Sequence, residues 1–142
     1  MIQANVTQKI NKAVATVFEA VVQPEQMTQY FISEASGPME TGKKINWKFG
    51  DVGAEVDVLV LEVKPQEQIK FRWPASGDST LVEMNFKAVG AEVTEVSVTE
   101  TGWEMTEQGV QQALQQTQGW TDMLLCLKAY LEFGINLRKG KK

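Results

Sequence analysis

The chain has 142 residues, enough for one domain with a buried core, and a formal net charge of −4. This acidic balance argues against binding nucleic acid through a basic surface, and no apolar stretch approaches the roughly 20 residues that cross a bilayer. Histidine is absent, which excludes Ser-His-Asp and Cys-His catalytic arrangements, and Cys126 is the only cysteine. A lone cysteine is consistent with a reducing compartment, so we expect a cytoplasmic protein.

The N-terminal part of the chain predicts one strand followed by two short helices. Residues 2–10 alternate apolar and polar side chains, as a strand does. Residues 12–22 repeat apolar side chains at helical spacing, and we expect Asn11 to cap that helix. Pro24 ends it, because proline disfavours the helical conformation of the preceding residue, and it also begins a second helix over 24–31.

The middle of the chain predicts an antiparallel meander, because short alternating segments are separated by turns that contain glycine or proline. The segments are KINWKF (44–49), AEVDVLVLEV (54–63), QIKFRW (68–73), LVEMNFKA (81–88) and VTEVSVTET (93–101). The second half of 54–63 is apolar on both faces, which predicts a central or bent strand. We expect about six strands in the meander, of which these five have a clear pattern, and with the first strand a sheet of about seven.

One long helix is predicted from about Glu107 to Asn136, and the glutamines between 111 and 118 mostly fall on its solvated face. Its apolar stripe comprises Val110, Ala113, Leu114, Thr117, Trp120, Met123, Leu124, Leu127, Leu131 and Gly134. The basic end, 138–142, is expected to be a disordered, solvated tail of a single domain that spans 1–142.

Two tryptophans directly follow glycines. Gly102 is expected to let the last strand bend as it leaves the sheet, where a side chain would be unwelcome, with Trp103 packed beside the next loop. Gly119 is expected to let the helix approach the sheet closely. Trp120 would then be a core residue or would contact a ligand.

The order and spacing of these segments resemble the START-like (SRPBCC) superfamily, and within it the branch related to the C-terminal domain of the heat-shock-protein-90 ATPase activator. The segments that carry the resemblance are INKAVATVFEAVVQPEQMTQYF, LEVKPQEQIKFRW, TEVSVTETGW and GWTDMLLCLKAYLEFG. The resemblance implies an α+β helix-grip fold, in which a curved antiparallel sheet wraps around the long C-terminal helix. The chain departs from the branch at Asn11-Lys12, Tyr30 and Thr41-Gly42, which weakens the transfer of a specific ligand.

In such a fold, the side chains on the inner face of the sheet and on the facing side of the helix would line a cavity. By strand parity and helical spacing these are Trp47, Phe49, Val58, Phe71, Trp73, Met84, Phe86, Val98, Glu100, Trp120, Met123, Leu124 and Leu127. This apolar and aromatic set suits a hydrophobic or aromatic small molecule. The same set would also form an ordinary filled core, and that alternative stays open.

Glu100 is the one candidate for a catalytic residue, and we expect no metal ion or cofactor. It continues the parity of Val96 and Val98, so it would face inward, where a carboxylate could orient a ligand or act as a base. The alternative is a polar residue at the rim, in water. Cys126 is expected to be a core residue rather than a nucleophile.

The leading hypothesis is therefore a domain that binds a lipid- or polyketide-like molecule between sheet and helix. The resemblance implies two alternatives, a chaperone-associated interaction module of the stress response and an enzyme of the cyclase or hydratase type. The expected partner is a hydrophobic small molecule rather than nucleic acid or a membrane. A homodimer or a chaperone partner stays open.

Overall fold

The computed structural model describes residues 1–77 and 79–139, so the last three residues of the predicted tail lie outside the described residues. Its elements are β1 (Gln3–Ile10), α1 (Val14–Val22), α2 (Pro24–Met27), β2 (Glu34–Ala35), β3 (Lys44–Phe49), β4 (Ala54–Lys64), β5 (Gln68–Trp73), β6 (Thr80–Gly90), β7 (Val93–Thr101) and α3 (Glu107–Phe133). The strands form one seven-stranded antiparallel sheet in the order β1-β7-β6-β5-β4-β3-β2. The α+β helix-grip fold expected from the sequence is confirmed.

Alternation along the strands separates the two faces of the sheet. On β6, Val82, Met84 and Phe86 are buried, and they share a core with α1 and α3. On the outer face, Lys70 of β5 lies 3.9 Å from Glu83 of β6. The predicted central or bent strand is β4, which lies between β3 and β5 and shifts register in its second half.

The predicted helix cap at Asn11 is wrong. Helix α1 begins at Val14, and its N-cap residue, Ala13, has no side-chain hydrogen bond. Asn11 instead donates its backbone N–H and its side-chain amide to the Glu132 carboxylate, at 2.9 and 3.3 Å. Partial burial opposes ionisation of Glu132, but the bonds from Asn11 and from Lys128 outweigh it and lower the pKa of Glu132. This contact joins the end of α3 to the corner between β1 and α1.

Helix α2 is shorter than the predicted 24–31, because the aromatic residues that follow it turn into the core. Tyr30 is fully buried, and its hydroxyl donates to the Ala20 carbonyl oxygen at 2.9 Å. Burial raises the pKa of Tyr30, so this hydroxyl stays a donor. The ring also stacks on Tyr130 of α3, with ring centroids 5.6 Å apart.

Helix α3 also differs from the prediction at its end and on one face. Gly134 adopts a left-handed conformation with φ of 67° and caps the helix, so α3 ends at Phe133 rather than at Asn136. Two members of the predicted apolar stripe, Val110 and Leu114, are exposed. A third member of the stripe, Ala113, is buried. It packs with Ala4 and Trp103 in a small second cluster that covers the first turns of α3.

Two glycines, Gly102 and Gly109, lie where the backbone has no room for a side chain, and Gly119 does not. Gly102 has φ of +119°, and a Cβ there would lie 3.3 Å from the Thr80 Cα, as the predicted bend at the strand exit requires. The predicted close approach at Gly119 is wrong, because a Cβ at this position would meet nothing within 4 Å. The close approach is at Gly109, where a Cβ would overlap the Glu104 carbonyl oxygen.

Alanine substitution of the two glycines inside α3 is therefore expected to have opposite effects on stability. Gly109→Ala should lower the free energy of unfolding by about 2–4 kcal/mol, because the backbone near Glu104 has to shift. Gly119→Ala should raise it by about 0.5–1 kcal/mol, because alanine favours the helix and meets open space. Urea unfolding followed by circular dichroism measures both. Effects of the same sign would contradict the assigned packing of α3.

Candidate functional site

A cleft opens where two neighbouring strands separate. Strand β4 pairs with β3 over Ala54–Leu59 but with β5 only over Leu59–Lys64. The first half of β4 therefore has a paired strand on one side and the cleft on the other. The cleft has a volume of about 710 Å³, and the turn after Trp73 forms part of its far wall. Helix α3 closes it from inside through Gln116, Gly119 and Trp120.

Four aromatic side chains, Phe31, Phe49, Trp73 and Trp120, line the cleft and are called the aromatic floor below. The rings of Trp73 and Trp120 lie 5.3 Å apart at 32°, and those of Phe31 and Phe49 lie 5.3 Å apart at 75°. Phe31 and Trp120 join the two pairs at 6.1 Å. These contacts hold the rings in place, so the cleft offers a largely preformed aromatic surface.

Directly behind the aromatic floor, the Glu100 carboxylate is 0% exposed and accepts hydrogen bonds from four side chains. Oε1 accepts from Trp120 Nε1 at 2.7 Å and from Gln116 Nε2 at 3.0 Å. Oε2 accepts from Thr80 Oγ1 at 2.5 Å and from Trp73 Nε1 at 3.1 Å. An indole N–H can only donate, so the carboxylate fixes the orientation of both tryptophans.

The prediction that Glu100 faces inward is confirmed, and the alternative of a polar residue at the rim is wrong. Strand β7 carries the residue inward, and β5, β6 and α3 supply its donors. Because Glu100 is fully buried and each oxygen already accepts from two side chains, its carboxylate does not contact a molecule in the cleft directly. The arrangement favours a residue that positions the aromatic floor over a general base.

The structure places the thirteen predicted cavity residues in three positions. Phe49, Trp73 and Trp120 line the cleft, and Glu100 lies behind it. The remaining nine pack in the core: Trp47, Val58, Phe71, Met84, Phe86, Val98, Met123, Leu124 and Leu127. In that part of the molecule, sheet and helix meet closely enough that their inward side chains contact each other. A ligand-binding role for these residues stays a prediction.

Several cleft residues were not predicted from the sequence. Gln116 lies one helical turn before Trp120, so the helical spacing that singled out Trp120 could also have found it. Phe31 was assigned to a helix, although its aromatic neighbour Tyr30 offered a weak signal of burial. Arg138, expected in a disordered tail, is instead 18% exposed at its side chain. It pairs with Asp51 at 2.5 Å and with Asp122 at 3.4 Å, and both Arg138 and Asp122 line the cleft.

One buried donor near the cleft has no hydrogen-bond partner among the described residues, the Nε1 of Trp47. Its ring packs edge-on against Phe31 and Trp73, with centroids 5.6 and 5.9 Å apart. Within 1–77 and 79–139, no cluster of acidic or cysteine side chains is placed to hold a metal ion. None of the helices in the described part of the chain combines the length and apolar character of a membrane span.

Comparison with known proteins agrees with the fold and with the resemblance in sequence. The family model described as Activator of Hsp90 ATPase homolog 1-like protein matches residues 11–132. The Staphylococcus saprophyticus protein SSP2350 is 32% identical, with a TM-score of 0.83 and 96% of each chain covered. No match is found among curated proteins.

Two further solved structures are similar. DynU16, described as a putative protein in the dynemicin biosynthetic locus, is 30% identical with a TM-score of 0.83. The match covers 94% of this chain and 48% of DynU16, so this chain corresponds to about half of that protein. The Aha1 dimer from Colwellia psychrerythraea is 22% identical, with a TM-score of 0.79, 94% of this chain and 98% of that chain covered, and it shows the fold. On the family match and the likeness to SSP2350, the chain belongs to the START-like family of Activator of Hsp90 ATPase homolog 1-like proteins.

Proposed function

We propose that the chain binds a flat apolar or aromatic small molecule, lipid- or polyketide-like, in the cleft between β4 and α3. The observation that carries this proposal is an open cleft of about 710 Å³ with an aromatic floor. Small-molecule sites in proteins measure roughly 300–1,000 Å³ and are lined mainly by apolar and aromatic side chains.

One relative is in keeping with this proposal. DynU16, which is 30% identical, is described as a putative protein in the dynemicin biosynthetic locus. An enzyme has less support, because Glu100 is already occupied by four donors. A chaperone or stress-related partner also has less support, since the outer face of the sheet carries ion pairs such as Lys48 with Glu34. The dimer of the 22% identical Colwellia protein supports only the fold here.

Nile red, a neutral and flat dye whose emission rises in apolar surroundings, tests the proposal. Its roughly 24 non-hydrogen atoms, at about −0.3 kcal/mol each, give about −7 kcal/mol, which corresponds to a Kd of about 7 μM. We expect a saturable rise in emission at one dye per chain. Native mass spectrometry of the freshly purified protein should in parallel show an added mass that disappears on unfolding. Emission that grows without saturation, together with a bare protein mass, would refute the proposed function.

A further inference from the structure

The carboxylate behind the aromatic floor bonds only to neutral groups. Glu100 is fully buried, and within the described residues its partners are two indoles, an amide and a hydroxyl. All of them donate, which matches a carboxylate, since a carboxylate only accepts. No lysine or arginine of the described residues pairs with it, so its negative charge is distributed over hydrogen bonds but is not cancelled.

Three of the four side chains that donate to Glu100 also line the cleft. Trp73, Gln116 and Trp120 each donate to Glu100 and each form part of the cleft wall. A molecule in contact with them is therefore one side chain away from the carboxylate. Indole faces attract cations through the ring quadrupole, and an N–H that donates to a carboxylate makes the ring more electron-rich. Both effects favour a positive group over the aromatic floor.

The mouth of the cleft carries more acidic than basic side chains. Three carboxylates, those of Glu55, Asp57 and Asp122, and one cation, Arg138, line it. Glu55 and Asp57 lie on the outer side of β4, where Lys48 and Lys44 of the neighbouring strand are close. That guanidinium is already paired with Asp122 and with Asp51, which reduces its repulsion of a cationic ligand. Asp57 lies 3.6 Å from Lys44, but both side chains are more than half exposed, so water screens the pair.

We propose that the occupant of the cleft is a flat aromatic molecule that carries a positive group, such as an alkylammonium or quaternary ammonium. This inference rests on the proposed function and narrows it to one class of ligand. The aromatic part stacks on the floor, and the cation lies over the indole faces of Trp73 and Trp120. An anionic ligand of the same shape is repelled by Glu100 and by the acidic mouth.

Three naphthalene probes of matched shape test the charge preference by displacement of Nile red. The cation is (naphthalen-2-ylmethyl)trimethylammonium, the neutral isostere replaces trimethylammonium by tert-butyl, and the anion is 2-naphthylacetate. A simple apolar cleft would prefer the neutral probe, because that probe is the most poorly hydrated. We expect the cation to bind at least about tenfold more tightly than the neutral isostere, with the anion weakest. The displacement is measured at physiological salt, because salt at this concentration suppresses attraction of the probes to distant surface charges.

A double variant at the mouth, Glu55→Gln with Asp57→Asn, keeps the test independent of any loss of folding. Both side chains are exposed, and the variant should weaken the cation about threefold while it leaves the neutral probe unchanged. Glu83→Gln, on the outer face of the sheet, is the matched control and should change neither.

The outcomes separate the two proposals. If Nile red binds and the neutral probe is as tight as the cation or tighter, the charge preference is overturned and the proposed function stands. If Nile red shows no saturable binding and native mass spectrometry shows only the bare protein, the proposed function fails and this inference fails with it. A cation preference that the mouth variant weakens supports the inference.

Discussion

Replacing Gly119 with tryptophan is expected to abolish Nile red binding and to leave the fold intact. Gly119 lines the cleft, and a Cβ added there would meet nothing within 4 Å, so a large side chain has room to enter without displacing the backbone. A tryptophan buries roughly 150–250 Å² and would occupy the space above the aromatic floor. We expect the Kd of Nile red to rise at least about 30-fold, the equivalent of about 2 kcal/mol. The melting temperature should not fall, because tryptophan favours the helix more than glycine does.

Gln118→Trp is the matched control, because it adds the same side chain at the next position of α3. Gln118 is exposed and does not line the cleft, so the variant should bind Nile red within about twofold of the wild type. If Gly119→Trp binds the dye as the wild type does, the dye lies elsewhere and the cleft is not the site. If both variants lose binding equally, the helix rather than the cleft is responsible.

The strands were predictable from the sequence because their signals are local. Residues 44–49 and 93–101 alternate apolar and polar side chains, and the strands β3 and β7 have the same bounds. Glycine and proline in the intervening turns set where each strand stops. The inward direction of Glu100 followed from the same alternation, since the side chains of Val96 and Val98 share its face of β7.

The position of the cleft was not predictable, because it depends on how two strands separate. Alternation predicts that Val56 and Val58 face inward. It does not predict that the residues of β4 before Leu59 are unpaired with β5. For the same reason, the sequence could not distinguish the inward residues that contact a neighbour from those that face open space. Met84, for example, is 1% exposed and packed in the core, while Phe49 lines the cleft.

Polar contacts between residues far apart in the sequence also could not be predicted from local sequence patterns. Asn11 has a side chain that often caps helices. In the fold, however, its backbone N–H and its side-chain amide both donate to Glu132, which lies 121 positions later in the sequence. Arg138 has the sequence context of a frayed end, yet two carboxylates of other elements hold it at the cleft. Such partners are identified only when the fold brings the elements together.

Glu100→Gln is expected to destabilise the protein by about 2–4 kcal/mol, although the side chain keeps its shape. Trp120 donates to one carboxylate oxygen and Trp73 donates to the other. A glutamine amide replaces one of these oxygens by an NH₂ group, which can only donate. The Thr80 hydroxyl can rotate and the Gln116 amide can flip, but an indole N–H cannot. Whichever way the new amide is turned, one buried indole therefore faces a donor and loses its acceptor.

Urea unfolding at neutral pH measures this loss, with Glu83→Gln as the control for the same change of charge on the same sheet. Glu83 is 35% exposed at its side chain and lies 3.9 Å from Lys70, so its loss should cost about 0.5 kcal/mol or less. Equal effects of the two substitutions would contradict the view that Glu100 is the acceptor that orients both tryptophans. A large difference would show that the carboxylate is needed to build the aromatic floor. Residual binding by a folded Glu100→Gln protein should then favour the neutral naphthalene probe over the cation, because the charge behind the floor is gone.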